Sequence, residues 1–408
     1  MLVFGRVLAN CRMQSRVFSF FFWLLALVFW VQADSQNGFI PGQSYFGTNQ
    51  YVEYIAGNLP VIVSAPHGGY IEPDSIPDRT CNNPTLVRDS RTQELARKTD
   101  SSFYDIFGCH PHVIICRMAR TKLDCNRDIQ DGACGNAEAE ISWTEYQAFI
   151  DSAKLAVISQ YGKGFFIDLH GHGHTIQRLE LGYLLSGSEL QLNDSTLDSL
   201  QWINQSSFRN LANTNLQGLS HSELLRGPQS LGTLFRQRGF PAVPSDTISY
   251  PQTGEPYFSG GYNTSAHSSY NGGTIDGLQI EINMDSVRDS DSHLEKFSDS
   301  LTNVIHDFLQ LHIFTQQELL NCGIQTDRVE SNFYPFRVYP NPFSDKLNFQ
   351  NPEGAIIRMW DITGKLIFEQ TDSNILKLEI QTGELHSGIY FIEEMSRKQN
   401  KWVKVIKY

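Results

Sequence analysis

Gly164-Phe-Phe-Ile-Asp168-Leu-His170-Gly-His-Gly-His174 is the stretch whose reading decides the fold. Phe165 to Leu169 reads as a short buried strand, and the glycines that follow cannot continue it comfortably. A strand that ends in a carboxylate and an imidazole, then breaks into glycine, places both side chains at the mouth of a sheet. In open α/β folds that edge is where ligands bind. A neutral imidazole is also the commonest protein ligand for zinc. An isolated Asp-x-His is usually just a hydrogen-bonded structural pair, so its weight comes from three further segments.

The first is Val61-Ile-Val-Ser-Ala-Pro-His67-Gly-Gly69, another apolar run closed by a histidine and two glycines. The second is Arg120-Thr-Lys-Leu-Asp124-Cys-Asn126-Arg127, a basic and amide-rich loop after an expected strand His112–Cys116. The third is Gly277-Leu-Gln-Ile-Glu281-Ile-Asn283, where one glutamate interrupts an apolar strand. Such a carboxylate either faces water or is held where its proton affinity is raised. Between these runs lie helical patterns. Ser142-Trp-Thr-Glu145 reads as a capping box opening a helix to about Tyr161, and further helices are expected at 228–239 and 293–311. Strand–helix alternation predicts an α/β domain with a mixed, mostly parallel sheet covered by helices on both faces.

The ordered set "SAPHGG", "VRDSRTQELA", "RTKLDCNRD", "FFIDLHGHGH" and "LQIEIN" resembles the N-formylglutamate amidohydrolase family, over roughly residues 47–311. That family is similar in fold and metal chemistry to the zinc carboxypeptidases. The resemblance implies a zinc ion held by two histidines and a carboxylate, an Asn-Arg pair that grips a substrate carboxylate, and a late glutamate that activates water. Matched by motif, His67 is the first ligand and His170 the last. The carboxypeptidase pattern puts the carboxylate ligand three residues after the first histidine, where this chain has Tyr70, so Glu72 and Asp89 remain as candidates. Asp89 is preferred because Asp89-Ser-Arg-Thr-Gln-Glu-Leu-Ala opens a helix shortly after the first-ligand strand. Its competing role is a helix N-cap.

The resemblance then assigns Glu281 as general base and Asn126 and Arg127 as the substrate-carboxylate grip, and the developing oxyanion calls for a nearby cation, for which Arg120 is the candidate. Arg127 offers a planar fork that lysine lacks. Asp124 and Asp168 are expected to orient ligating histidines rather than bind metal. His172 and His174 are expected to line the pocket. The glycine-rich run Tyr257–His267 is read either as a cover over the substrate, with Tyr262 or His267 folding across it, or as a plain surface loop.

Arg6, Arg12 and Arg16 precede the apolar run 18–31 and then Gln32-Ala33, the pattern of a signal peptide over residues 1–33. Residues 34–322 are expected to form the hydrolase domain. Six cysteines follow the signal, an even number for an oxidising compartment. Cys125 and Cys134, flanking the Asn126-Arg127 loop, are expected to pair. A formal charge of −12 without a basic patch argues against nucleic acid and anionic membrane as partners.

After a linker at 323–336 the chain changes character. "VYPNPF", "DITGKLI", "GIYFIEE" and "KVIKY" sit among short alternating strands, with Thr363-Gly364-Lys365 as a tight-turn signal. This tail, 337–408, resembles the C-terminal sorting domain of the type IX secretion system, a small β-sandwich. The resemblance implies a secreted or surface protein with the type IX machinery as a partner. The combined expectation is an exported zinc-dependent hydrolase cleaving an amide or peptide bond next to a free carboxylate. The rival from another class is a secreted ligand- or carbohydrate-binding module on the same scaffold, which need not keep Glu281.

Overall fold

Alternate residues of the central strands enter two different cores. Val61, Val63, Val113, Ile115, Phe165, Ile167, Leu278 and Ile280 pack into one, whereas Ile62, Ile114, Cys116 and Phe166 pack into the other. Burial on both faces is why these strands read as continuous apolar runs rather than alternating ones. The computed structural model describes residues 39–320, 337–339, 343–350, 356–361, 365–370, 377–386, 388–395 and 400–407. The expected signal peptide, the expected linker and the Thr363-Gly364 turn lie outside these residues.

The first unit holds an eight-stranded sheet in the order β1-β2-β4-β3-β5-β8-β6-β7. Its strands are β1 (Ser44–Phe46), β2 (Val52–Ile55), β3 (Val61–Ala65), β4 (His112–Cys116), β5 (Gly164–Gly171), β6 (Leu179–Gly182), β7 (Ala242–Val243) and β8 (Ile275–Ile282). β4, β3, β5 and β8 run parallel, β6 pairs parallel with β7, and β1, β2 and the β6–β8 junction are antiparallel. Helices α1 (Thr92–Phe107) and α3 (Asp291–His312) contribute to the first core, and α2 (Ala137–Tyr161) to the second. The sheet is therefore mixed, mostly parallel and covered on both faces, as its sequence predicts.

One local expectation and one competing reading fail for physical reasons. Ser142 and Glu145 do not cap a helix, because Ala137-Glu-Ala-Glu are strong helix formers and carry the start of α2 further upstream, to Ala137. Asn136 caps it instead, accepting from the Ala139 amide at 3.0 Å, while Glu145 receives the Thr48 amide and hydroxyl. Asp89 is not a cap either. Thr92 opens α1, Arg91 before it has a left-handed φ of 70°, and the Asp89 side chain turns inward.

The second unit, beginning at Thr326, has two antiparallel sheets. Arg337–Tyr339, Lys346–Gln350 and Lys377–Gln381 form one, and Ile356–Asp361, Leu366–Gln370, Gly388–Met395 and Asn400–Lys407 form the other. Leu347 and Phe349 share a core with Ile357, Met359, Ile392 and Val405, which makes the unit a small β-sandwich.

Candidate metal and active site

Strand parity decides what reaches the C-terminal edge of the sheet. On β5, Phe166, Asp168 and His170 share one face, and register pairs Asp168 with Ser64 and Gln279, and His170 with Glu281. The face that is apolar at Phe166 therefore becomes polar two residues later. His67, two residues beyond β3, joins it, and so does Asp89, whose amide donates to the His67 carbonyl at 3.1 Å.

These residues converge tightly and are buried. His67 Nδ1 lies 3.1 Å from His170 Nδ1, and Asp89 Oδ2 lies 3.4 Å from the first nitrogen and 3.1 Å from the second. The far nitrogens face carboxylates: His67 Nε2 is 2.6 Å from Asp124 Oδ1, and His170 Nε2 is 2.8 Å from Asp168 Oδ2. A carboxylate accepts only, so each Nε2 carries its proton, and in the neutral ring each Nδ1 presents a lone pair. Asn126 Nδ2, 3.1 Å from His170 Nε2, has no acceptor there in that tautomer and donates to Gln279 Oε1 at 3.4 Å. Two lone pairs and a carboxylate oxygen thus point at one another.

That arrangement is repulsive unless positive charge sits among the three. Tetrahedral zinc with bonds of ~2.0–2.1 Å separates its donor atoms by about 3.3 Å, close to the three distances found. The donor set, two imidazoles and a carboxylate, is also one that zinc accepts, and both rings are oriented by second carboxylates as metal-binding histidines usually are. The residues fit the ion. Glu72 is exposed and outside the cluster, so of the two candidates Asp89 is the one brought to the histidines.

Proton affinities in the cluster follow from the same charges. Burial opposes a proton on His170, but Asp168 and Asp89 outweigh it and hold the ring well above its ordinary value, so with no cation among the three atoms Nδ1 carries a proton that a metal ion would displace. Burial would raise Asp124, yet His67, Arg120 and Arg79 hold it well below the carboxylate range. Burial likewise acts on Asp89 and is overcome by His67 and His170. Glu281 goes the other way, to about 7. Burial is the main cause; Asp89 and Glu180 add to it, against the lowering pull of His170 and Arg120. Its Oε1 is 4.0 Å from His170 Nδ1 and accepts from Gln279 Nε2 at 2.9 Å.

The remaining sequence candidates are placed as follows. Arg120 Nε is 3.1 Å from Asp124 Oδ2, and its Nη1 is 3.3 Å from Asp89 Oδ1, leaving Nη2 without a partner among the described residues. Arg127 touches Asp124 through Nε at 3.4 Å and is the most exposed cation of the group. Asn126 Oδ1 accepts the Asn263 amide at 2.8 Å.

His172 and His174 form a second cluster with Glu180, but the His172 ring has no spare lone pair. Its Nε2 is 2.8 Å from the Arg178 carbonyl and its Nδ1 accepts the His174 amide. His267 does not fold over a substrate; it is buried with Nε2 2.6 Å from Gln147 Oε1. Asn263 is the member of that run that reaches the site, its Nδ2 lying 3.4 Å from Asp168 Oδ1.

The expected Cys125–Cys134 disulfide is not formed. Cys134 pairs with Cys81, and Cys125 is a buried free thiol. The Asn126-Arg127 loop turns the Cys125 side chain into the core with Cys116, whereas Cys134 ends the helix Ile129–Ala133 facing the loop that begins at Cys81. The bridge therefore ties the segment leading to Asp89, rather than Arg127, to that helix. Glu180, opposite Glu281 in the antiparallel β6–β8 pairing, was also missed, because nothing local in the sequence reports that register.

Comparison with known proteins bears first on the tail. Residues 337–408 match the family described as the secretion system C-terminal sorting domain. The tail is thus an address for type IX secretion, and the protein is secreted or held at the cell surface. Among the described residues no helix is long and apolar enough to cross a membrane. No curated protein matches the chain. Two solved structures are similar over 61% of it: N-formylglutamate amidohydrolase from Ralstonia eutropha JMP134, at 12% identity over 93% of that chain with a TM-score of 0.36, and the apo N-acetylmuramyl-L-alanine amidase from Mycobacterium abscessus, at 13% identity over 98% of that chain with a TM-score of 0.26.

Proposed function

We propose that this exported chain is a zinc-dependent hydrolase that cleaves an amide or peptide bond beside a free carboxylate. The observation that carries the reading is the meeting of His67 Nδ1, His170 Nδ1 and Asp89 Oδ2, with both Nε2 atoms held by carboxylates. A zinc ion bound by these three atoms would supply Lewis acidity and lower the pKa of water at an open fourth position.

The chain's own residues divide the remaining work. Glu281 is a buried carboxylate whose proton affinity is raised to about 7, suited to take a proton from attacking water and return it to the leaving nitrogen. Arg120, whose Nη2 has no partner among the described residues, would stabilise the charge that develops on the carbonyl oxygen. Arg127, only partly engaged by Asp124, offers its fork to the substrate carboxylate, with Asn126 beside it. Asp124 and Asp168 hold the two rings in the tautomer that keeps Nδ1 free. An extracellular peptide or amino-acid amide suits the address of the chain.

A panel of N-acyl amino acids and short peptides, each offered with a free and with a methylated carboxylate, tests this reading. Hydrolysis of the free acids should exceed that of the esters, and Arg127→Ala should erase the preference mainly through KM. Equal turnover of acids and esters by the parent would refute the assigned grip.

A further inference from the structure

Arg288 is almost completely buried, yet no carboxylate pairs with it among the described residues. Its guanidinium donates to three carbonyls: Ile282 at 3.0 Å, His172 at 3.0 Å and Ser90. Those carbonyls belong to segments far apart in sequence. Ser90 follows Asp89, Ile282 follows Glu281, and His172 lies two residues after His170. Gly171 sits directly against the group, since a Cβ there would come within 2.4 Å of Arg288 Cζ. Gly171 has no left-handed φ that would call for glycine, so the close approach of the guanidinium is what its small size serves. The same residue's amide donates to Asp89 Oδ2 at 3.1 Å. Non-glycine left-handed residues flank the contact on two of its segments, Arg91 at φ 70° and Ser286 at φ 63°.

A buried guanidinium with no carboxylate in contact is costly; the charges of Asp89 and Glu281 nearby offset part of that cost, and the three carbonyl acceptors satisfy its donors. A planar fork with several donors in fixed directions can hold three carbonyls at once; a lysine ammonium cannot reproduce that geometry. We infer that Arg288 is a positioning residue, a clamp that locks the segments bearing Asp89, His170 and Glu281 into one arrangement and so sets the geometry of the metal centre. This rests on the zinc reading for its consequence, but the clamp itself is a property of the protein alone.

The test uses the mature full-length chain as Arg288→Gln, Arg288→Lys and Gly171→Ala, with Arg236→Gln, a half-buried ion-pair residue, as control. In chelated protein, hydrogen exchange should rise together in segments 88–91, 170–173 and 281–283 of Arg288→Gln and Gly171→Ala, less in Arg288→Lys, and not in the control. Cobalt(II) titration should show affinity lower by roughly 10–100-fold in the first two variants, with altered visible bands and partial recovery in Arg288→Lys. A lower melting point with unchanged cobalt bands and affinity would make the residue merely structural and overturn the inference. So would an exchange increase confined to the neighbourhood of residue 288. Should the parent bind no cobalt, the zinc reading fails, and the exchange pattern alone still decides the clamp. Should Arg288→Gln not fold, Gly171→Ala and Arg288→Lys decide it.

Discussion

Asp124→Asn is the most instructive single change, because one buried carboxylate serves two purposes. Its Oδ1 accepts from His67 Nε2 at 2.6 Å and from the Asn126 amide at 3.0 Å, while Oδ2 faces Arg120 at 3.1 Å, Arg127 at 3.4 Å and Arg79 at 3.7 Å. Asparagine keeps the shape but removes the charge. Arg79, buried and with Nε and Nη2 unpartnered among the described residues, then has no anion near it. Breaking a buried pair from one side costs about 3–5 kcal/mol, and the low end applies because Arg120 keeps Asp89 and the Val87 carbonyl. At ~2–4 °C per kcal/mol for a domain of this size, the melting point of the chelated protein should fall by roughly 6–12 °C. The second effect is on His67. Asparagine keeps one acceptor oxygen, and with that oxygen drawn to the three arginines its N–H faces Nε2–H, a clash, so either the ring turns or its proton moves to Nδ1, and the lone pair is lost. Zinc affinity should fall by roughly 10–100-fold, or about 1.4–2.7 kcal/mol. Thermal unfolding after chelation and competitive zinc titration read the two effects separately. A variant that melts like its parent and binds zinc within about threefold of it would refute both the charge argument and the tautomer argument.

Further outcomes follow from other parts of the molecule. Glu281→Gln should retain zinc while hydrolysis falls by about 10²–10⁴-fold, as expected for loss of a general base; retained turnover would remove Glu281 from the mechanism. His112, whose Nδ1 accepts from the Tyr54 hydroxyl and the Gly57 amide, is held by burial at about 4. Its folded pKa lies below the unfolded value of ~6.5, so the unfolded chain binds the extra proton and stability falls as pH drops from about 6.5 to about 4, by roughly 3 kcal/mol in all. Denaturant midpoints across that range should show the slope in the parent and a flatter curve in His112→Gln. Cys81 and Cys134 are 53 residues apart, and replacing both with serine should lower stability by up to roughly 4 kcal/mol in chemical denaturation; no change would assign the bridge no role in the fold.

The four parallel strands and two of the three candidate ligands are legible from local sequence because their signals are local. An apolar run closed by His-Gly or Asp-x-His-Gly announces a buried strand and a polar edge at once, and the glutamate inside an apolar strand announces Glu281. Asp89 was separable from Glu72 only through the helix that follows it. The roles of Glu180, Asn263 and Arg288 are invisible locally. Glu180 matters because β6 runs antiparallel to β8, and Arg288 because three distant carbonyls meet around it. Cysteine pairing failed for the same reason. Spacing cannot tell that Cys125 points into the core while Cys134 faces the loop from Cys81.

Metal content of the purified exported chain tests the central claim most directly. The account predicts about one zinc per chain, removed by chelation together with hydrolysis, restored with it on adding zinc, and absent from His67→Ala, Asp89→Ala and His170→Ala. A chain that takes up no zinc, or an Asp89→Ala variant that holds it at full occupancy, would contradict the account.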